Sequence, residues 1–127
     1  MQAFRSAVEA QDLDALAATL ADDVVFRSPV AHKTYEGKAV TMTLLSNVME
    51  VFENFVYRYP LGAESDEHQG LVFEADVAGR RVTGCDFLTI GSDGLITELM
   101  VMVRPLSGLV ALAEQMGARP EVQELSK

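Results

Sequence analysis

The stretch of residues 71–104, LVFEADVAGRRVTGCDFLTIGSDGLITELMVMVR, decides the fold. Apolar, β-branched and aromatic residues alternate in it with polar ones, which is typical of β-strands that bury one face. Ala78-Gly79 and the segment 91–94, GSDG, interrupt the alternation. Three strands are therefore predicted, at 71–77, 81–90 and 95–104. Connections this short join antiparallel neighbours, so the stretch predicts a three-stranded antiparallel meander.

Side-chain pairing predicts the register of the first hairpin. Pairing Val77 with Arg80 places Asp76 opposite Arg81, a favourable cross-strand charge pair. A slip of one residue would mix the apolar and polar faces. The turn itself gives little support, because alanine is unfavourable at the positive φ of a tight hairpin turn. The same register gives the pairs Ala75 with Val82, Phe73 with Gly84 and Leu71 with Asp86.

The second hairpin is predicted to pair Ile90 with Leu95. This register gives the pairs Leu88 with Thr97, Asp86 with Leu99 and Gly84 with Val101. One face then carries Leu71, Phe73, Ala75, Val82, Asp86, Leu88, Ile90, Leu99, Val101 and Val103. The other carries Glu74, Thr83, Cys85, Phe87, Ile96, Glu98, Met100 and Met102. Since both faces are substantially apolar, we expect one to pack on helices and the outer one to form a homodimer.

The rest of the chain predicts helices and two short strands around this meander. Apolar residues at helical spacing predict helices at 1–20, 38–53 and 105–118, the first with a break near Gln11 and a cap at Asp12. Strands are predicted at 23–28 and 55–59, ended by Pro29 and Pro60, and a loop at 31–37. Residues 119–127 are predicted to be a frayed tail. Together these elements predict one α+β domain over residues 1–127.

The composition limits the class of protein and its partners. With 127 residues, 49% of them hydrophobic and 23% charged, the chain has the proportions of one globular domain. No apolar run approaches the ~20 residues of a membrane helix, and Met1 leads into an amphipathic segment rather than a signal peptide. The lone cysteine, Cys85, forms no internal disulfide and fits a reducing cytoplasm. A net charge of −9 repels phosphates, so neither nucleic acid nor an anionic membrane is expected as a partner.

Asp86 is the residue that points most directly to chemistry. Its predicted neighbours on the apolar face are Leu71, Gly84, Leu88 and Leu99. An ionised carboxylate there loses hydration, so its pKa is expected to rise unless a hydrogen-bond donor compensates. A neutral carboxyl can donate a hydrogen bond to a developing oxyanion or transfer a proton. The alternative is a buried structural aspartate that binds a helix end or a loop.

Two further side chains could assist Asp86. His32 follows the first strand in a loop that could reach the mouth of a pocket, and imidazole is a natural base near neutral pH. Tyr57 is the tyrosine best placed to donate a hydroxyl. The simpler interpretation is an exposed loop histidine and a tyrosine of the core. A phosphate-binding glycine loop, clustered zinc ligands and a nucleophile elbow are all absent from the sequence, so we expect neither a cofactor nor a metal.

Six short motifs occur in an informative order along the chain. They are DLDAL at 12–16, LADDVVF at 20–26, SPV at 28–30, YEG at 35–37, DFL at 86–88 and DGLI at 93–96. Their order and spacing resemble the nuclear transport factor 2-like superfamily, which includes the SnoaL-like polyketide cyclases and the ketosteroid isomerases. The resemblance spans about residues 4–104. It implies a cone-shaped pocket between a curved sheet and the first two helices, with dimerisation through the outer face of the sheet.

The resemblance also implies roles for single residues. Asp86 matches an aspartate that donates to the oxyanion in ketosteroid isomerases. The general base of that family matches Ser28 and its oxyanion tyrosine matches Phe4, so that steroid isomerase mechanism is not expected. In the related limonene epoxide hydrolases, the arginine of the Asp-Arg-Asp set matches Gly84, which argues against that triad as well. In the SnoaL-like cyclases an acid–base residue works in an apolar pocket, a part that Asp86 with His32 could play.

The sequence therefore predicts a small-molecule-binding protein of this superfamily. As an enzyme it would be a cofactor-free isomerase or cyclase, with Asp86 as acid or oxyanion donor, His32 as base and Tyr57 as auxiliary donor. A lyase or hydrolase fits less well. The alternative is a non-catalytic ligand-binding or dimerisation module of the same fold. The ligand would be a small apolar carbonyl compound held by Phe4, Phe26, Phe55, Phe73, Leu88, Leu99 and Val101.

Overall fold

A computed structural model describes residues 1–125 as five helices and a six-stranded sheet. The helices are α1 (Gln2–Ala10), α2 (Leu13–Ala18), α3 (Lys38–Val51), α4 (Leu106–Gly117) and α5 (Pro120–Glu124). The strands are β1 (Leu20–Arg27), β2 (Thr34–Glu36), β3 (Glu53–Leu61), β4 (His68–Val77), β5 (Arg80–Ile90) and β6 (Ile96–Arg104). The strand order is β2-β1-β6-β5-β4-β3. The α+β class is thereby confirmed, and no helix among the described residues is long and apolar enough to cross a membrane.

The hairpin of β4 and β5 has the predicted register. Val77 lies opposite Arg80 and Asp76 opposite Arg81, and the Arg81 guanidinium contacts the Asp76 carboxylate at 3.4 Å. The turn places both central residues at positive φ, 49° for Ala78 and 79° for Gly79. Two consecutive positive φ values give the primed turn whose twist matches that of the strands. The pairing of the strands therefore holds Ala78 in a conformation that alanine alone disfavours.

The predicted register of the second hairpin is wrong by two residues. Asp86 lies opposite Val101 and Leu88 opposite Leu99, and the pairing shifts between Thr89 and Ile90. One residue of the error arises at the turn, where Ile90 lies opposite Ile96 and not Leu95. The other arises from a β-bulge that adds a residue to β6, which pairing rules based on strict alternation do not anticipate. Since a shift of two residues keeps each side chain on its face, the inner face of the sheet is nearly as predicted. Ile96 is the exception: it is buried in the core, although the outer face was predicted for it.

One strand, β2, was not predicted, and another, β3, extends beyond its predicted end. The predicted loop at 31–37 contains β2, which pairs antiparallel with β1 through Phe26 and Tyr35. This three-residue strand has no alternating apolar pattern, and its pairing with β1 determines its conformation. Strand β3 continues through Pro60 instead of ending there. It lies at the edge of the sheet, where a residue without an N–H is tolerated.

The helices pack on one face of the sheet, which we call the inner face. Helix α3 contacts β1, and α4 contacts β5 and β6. The predicted break between the first two helices is confirmed: Gln11 has φ 53°, and the Asp12 carboxylate accepts a hydrogen bond from the Ala15 N–H at 3.0 Å. The parallel pairing of β1 with β6 completes the sheet. The predicted tail contains α5 up to Glu124, while residues 126–127 lie outside the described part of the chain.

The strained turn gives a test of this hairpin. Replacing the exposed Ala78 by glycine removes the steric cost of positive φ, so Ala78→Gly should raise the free energy of unfolding by about 1 kcal/mol. The same change at the exposed Ala113 in α4 should lower it by about 1 kcal/mol, because there φ is helical. Urea unfolding of both variants measures the difference. Destabilisation by Ala78→Gly would show that Ala78 does not adopt this conformation.

Candidate active site

A cavity lies between the inner face of the sheet and the helices. Its empty space is about 830 Å³, including the part open to solvent. The side chain of Val30 is 41% exposed and marks the open side. The deep end is formed by residues that are almost fully buried. The lining consists of Phe4, Val8, Leu16, Phe26, Ser28, Pro29, Val30, Tyr35, Leu44, Leu45, Val48, Met49, Phe52, Phe55, Tyr57, Phe73, Asp86, Val101, Leu112, Met116 and Val122.

Asp86 and Tyr57 form a hydrogen-bonded pair in this cavity. The Tyr57 hydroxyl donates to Asp86 Oδ2 at 2.7 Å. Both residues are buried: Tyr57 is 4% exposed and Asp86 is 8% exposed. Burial raises the pKa of Asp86 to about 7, because the carboxylate loses its hydration, while the hydrogen bond from Tyr57 opposes the rise. Near neutral pH both the acid and the carboxylate are therefore populated. This is the range in which a group can donate and accept protons in turn.

Tyr57 keeps its hydroxyl proton near neutral pH and can therefore donate a hydrogen bond there. Burial raises its pKa well above the ordinary value, and the Asp86 charge adds to the rise. On its other side the Arg5 guanidinium lies 5.8 Å from the centre of the ring, a cation–π distance. Arg5 also pairs with Glu9 one turn further along α1. Tyr57 is thus fixed between the first helix and the Asp86 carboxyl.

An aromatic wall packs against Tyr57 of this pair. The rings of Phe55 and Tyr57 meet edge to face at 4.8 Å, and those of Phe55 and Phe73 stack at 5.0 Å. Phe52 joins them at 5.5 Å from Phe73. Phe73 lies directly over Gly84, where a β-carbon would come within 2.4 Å of the ring. A larger side chain at Gly84, such as the arginine of the epoxide hydrolases, would have to displace this ring.

The structure brings most of the predicted site residues together. Five of the seven predicted ligand contacts line the cavity beside Asp86 and Tyr57: Phe4, Phe26, Phe55, Phe73 and Val101. Leu88 and Leu99 are buried in the core and are not among the lining residues. His32 is exposed and does not line the cavity either, so the structure does not bring it to Asp86. Ser28 and Phe4, which match the base and the tyrosine of the ketosteroid isomerases, both face the cavity.

Sequence reasoning missed the contributions of the later helices to the lining. Leu45 and Val48 on α3, and Phe52 directly after it, were interpreted only as a core stripe. Leu112 and Met116 on α4 belong to an apolar stripe with the same spacing. A buried helix stripe does not reveal whether it faces packed side chains or a cavity, so this signal could suggest candidates but not select them.

Asp86 is the only carboxylate among the lining residues, all of which lie in the described part of the chain. Residues 1–125 contain no group of three or more His, Cys, Asp or Glu side chains that could hold a metal ion. The cavity therefore offers one titratable acid beside two tyrosine hydroxyls, Tyr35 and Tyr57. Such a set can bind a neutral oxygen atom, stabilise charge on it, or exchange a proton with it.

The buried acid predicts a pH dependence of stability. The folded protein holds the Asp86 proton up to about pH 7, whereas the unfolded chain releases it near pH ~3.9. Folding therefore binds a proton between these values, and the free energy of unfolding falls as the pH rises through this window. From pH 5 to 8 the wild type should lose about 2 kcal/mol relative to Asp86→Asn.

Urea unfolding of both proteins at the two pH values measures this difference. Asp14→Asn, the same change at an exposed helix position, serves as control and should follow the wild type. At pH 7, Asp86→Asn should be as stable as the wild type or more stable. A clear loss of stability there would identify Asp86 as an ionised structural residue.

Comparison with known proteins agrees with this geometry. A family model described as a SnoaL-like domain matches residues 1–99. A crystal structure of a steroid delta-isomerase from Pseudomonas aeruginosa has 40% sequence identity and a TM-score of 0.87, covering 98% of this chain and 90% of that one. An uncharacterised protein with a cystatin-like fold from Silicibacter pomeroyi has 30% identity and a TM-score of 0.90, covering 98% and 89%.

More distant structures share the fold alone. A nuclear transport factor 2-like protein of unknown function from Cytophaga hutchinsonii has 18% identity and a TM-score of 0.66, covering 82% of this chain and 86% of that one. No curated protein matches the chain. The fold agrees with that of the Silicibacter pomeroyi protein over 98% of the chain, and the family match covers most of the chain. The chain belongs to the SnoaL-like domain family and has the fold of nuclear transport factor 2-like proteins.

Proposed function

We propose that this protein is a cofactor-free isomerase or cyclase that transfers a proton on an apolar carbonyl compound, with Asp86 as the acid. The observation that carries the proposal is the Asp86 carboxyl, hydrogen-bonded by Tyr57 in an aromatic cavity and titrating near neutral pH. The similarity to a steroid delta-isomerase at 40% identity supports this class of reaction. The family membership supports it as well.

The lining favours an uncharged and mostly apolar ligand. None of the lining residues in the described chain is lysine, arginine or histidine, so an anionic group in the cavity would lack a counter-ion. The polar atoms deep in the cavity are those of Asp86 and Tyr57. A ligand with one carbonyl oxygen and an apolar body fits this division, with its oxygen at Asp86 and its body against the aromatic wall.

In the proposed step the neutral Asp86 carboxyl hydrogen-bonds the carbonyl oxygen. When a C–H bond next to the carbonyl breaks, negative charge develops on that oxygen, and the carboxyl stabilises it or transfers its proton to it. Tyr57 holds Asp86 Oδ2, which orients the carboxyl toward the ligand. Removing one donor of this kind typically costs about 10²–10³ in rate.

Among the described residues the lining offers no second carboxylate, so in this step the C–H proton passes to water at the open side of the cavity, near Val30, and from there to bulk solvent. At the position of the ketosteroid isomerase base, the Ser28 hydroxyl accepts a hydrogen bond from the Val30 N–H at 3.1 Å. A serine there is a poor base near neutral pH. The exposed His32 receives no role in this step. We therefore expect slower turnover than that of an enzyme with two carboxylates.

The single carboxylate also favours a second candidate, a non-catalytic ligand-binding protein of the same fold. In that case Asp86 and Tyr57 would only recognise a polar atom of the ligand. Native mass spectrometry of protein purified from its natural host, with identification of any released molecule, names the ligand class. A carbonyl compound supports proton transfer, and a ligand without one supports binding alone.

Deuterium exchange separates the two candidates. In D₂O the wild type should speed the exchange of the protons next to the carbonyl of its bound ligand, because enolisation and its reversal incorporate solvent deuterons. Asp86→Asn should lower this rate about 100-fold or more, while Asp14→Asn should leave it unchanged. In Tyr57→Phe the exchange rate should fall at a higher pH than in the wild type, because the Tyr57 hydrogen bond that lowers the pKa of Asp86 is lost. Proton NMR measures the exchange, and equal rates with Asp86→Asn would contradict the enzymatic proposal.

We also propose that two copies associate through the outer face of the sheet, in the cytoplasm where the lone Cys85 stays reduced. Cys85, Phe87 and Met100 are half-buried on this face, and Met102 is 53% exposed. The charged side chains around them neutralise one another, because three arginines pair with three carboxylates: Arg27 with Glu98, Arg58 with Glu74, and Arg81 with Glu74 and Asp76. Two copies can therefore meet there without the repulsion expected from a chain of net charge −9.

A single charge should break this interface. Phe87→Glu buries an unpaired carboxylate between the subunits and should convert the dimer into a monomer. Val110→Glu, at an exposed position of α4, is the matched control and should remain dimeric. Sedimentation equilibrium measures both. A wild type that is already monomeric, or a dimer that survives Phe87→Glu, would overturn this part of the proposal.

A further inference from the structure

The last part of the chain lies outside the family match but contributes to the cavity. The match to the SnoaL-like family model ends at residue 99, whereas Leu112 and Met116 of α4 and Val122 of α5 line the cavity wall. We call residues 105–125 the C-terminal segment. It packs on α3 through both of its helices. The C-terminal segment therefore closes part of the cavity, although it lies beyond the residues that the family model matches.

A buried asparagine on α3 fixes this segment. Asn47 is only 2% exposed, and its Nδ2 donates to the Thr43 carbonyl at 2.7 Å and to Glu121 Oε2 at 3.0 Å. Its Oδ1 accepts from Arg119 Nε. Both polar atoms of the side chain are thus satisfied, and two of their three partners belong to the C-terminal segment. Arg119 also pairs with Glu50 on the same face of α3.

The other side of α5 is attached to the loop before β2. Lys33 Nζ donates to the Leu125 carbonyl at 3.3 Å and lies 5.0 Å from the centre of the Tyr35 ring. Tyr35 lines the cavity, as does the exposed Val30 on the same loop. Helix α5 therefore spans from α3 to this loop beside the open side of the cavity. Val122 is the residue of α5 that faces the interior.

We infer that the C-terminal segment determines how long a ligand the cavity accepts, and that Asn47 is the positioning residue that holds this segment in place. The inference rests on the proposed function for one premise, that the ligand is an apolar carbonyl compound with its oxygen at Asp86. The apolar end of such a ligand then extends away from the polar pair. Met116 and Val122 limit its extension, because they belong to a segment held on two sides.

A homologous series of 2-alkanones tests this inference. These neutral ketones place a carbonyl at one end of an unbranched chain of variable length. Binding is followed by the ¹³C-methyl NMR signals of the methionines, since Met49 and Met116 line the cavity. Met100 and Met102 on the outer face report any binding elsewhere. Affinity should rise about fourfold for each added carbon, which corresponds to about 0.8 kcal/mol per buried methylene, until the cavity is full.

A smaller side chain in the cavity wall should allow the affinity to keep rising for longer ketones. In Val122→Ala the affinity should continue to rise for at least one carbon beyond the wild-type limit, because the lost methyl groups leave room for it. Val110→Ala is the matched control, the same change in the same segment at a position that is 47% exposed and outside the lining. Equal length limits for all three proteins would overturn the inference.

The role of Asn47 is tested through its partner, which is exposed and can be changed without disturbing the core. Glu121→Ala removes the one of the two Asn47 Nδ2 acceptors that belongs to the C-terminal segment, and it should shift the length limit in the same direction as Val122→Ala. Glu121→Gln keeps an acceptor oxygen and should restore the wild-type limit. A general loss of affinity for every alkanone, with the limit unchanged, would show that Asn47 has only a structural role.

The outcomes distinguish this inference from the proposed function. Length-dependent binding that shifts in Val122→Ala, without deuterium exchange of the bound ketone, supports the inference and contradicts the enzymatic proposal. Deuterium exchange of the bound ketone, with a length limit that does not shift in Val122→Ala, supports the enzymatic proposal and contradicts the inference. If no alkanone perturbs Met49 or Met116 in the wild type, both the ligand class and the inference are wrong.

Discussion

The burial of one carboxyl group is the constraint on which the site depends. Asp86 lies on the inner face of β5, where its strand neighbours on β4 and β6 are Leu71 and Val101. A carboxylate there cannot remain ionised without a donor, and Tyr57 supplies one from β3, two strands away. One donor compensates only part of the lost hydration, so the acid and its conjugate base are both accessible near neutral pH. The aromatic wall packs against Tyr57 and so contributes to the burial that raises the pKa of Asp86.

The same wall explains how this chain departs from its relatives. Phe73 occupies the space over Gly84, so the strand cannot carry an arginine there without losing the ring that packs on Phe55 and Tyr57. Phe4 and Ser28 line the cavity without an ionisable group. The chemistry of the site is therefore concentrated in the Asp86–Tyr57 pair. In this arrangement Asp86 is the one carboxyl group of a mostly apolar lining, and within the described chain no second acid–base residue stands beside it.

The sequence predicted the features that depend on local or charge-directed pairing. The Asp76–Arg81 pair located the first hairpin correctly, and the apolar neighbours of Asp86 predicted its burial. A β-bulge displaced the second hairpin, since alternation carries no signal for an extra residue. Strand β2, the parallel pairing of β1 with β6 and the placement of His32 away from the cavity follow from contacts between distant parts of the chain. A single sequence does not encode these contacts as a local pattern.

Different parts of the chain supply the Asp86–Tyr57 pair and the C-terminal part of the cavity wall. Asp86 and Tyr57 lie within the matched family region, on strands whose ladder hydrogen bonds fix their geometry. The wall residues of the C-terminal segment lie outside that region, on helices that pack against α3, β5 and β6, and Asn47 binds Glu121 and Arg119 of this segment. None of these side-chain hydrogen bonds belongs to the strand ladder. Together the two proposals imply that ligand length can vary independently of proton chemistry, because different interactions hold the two parts of the site.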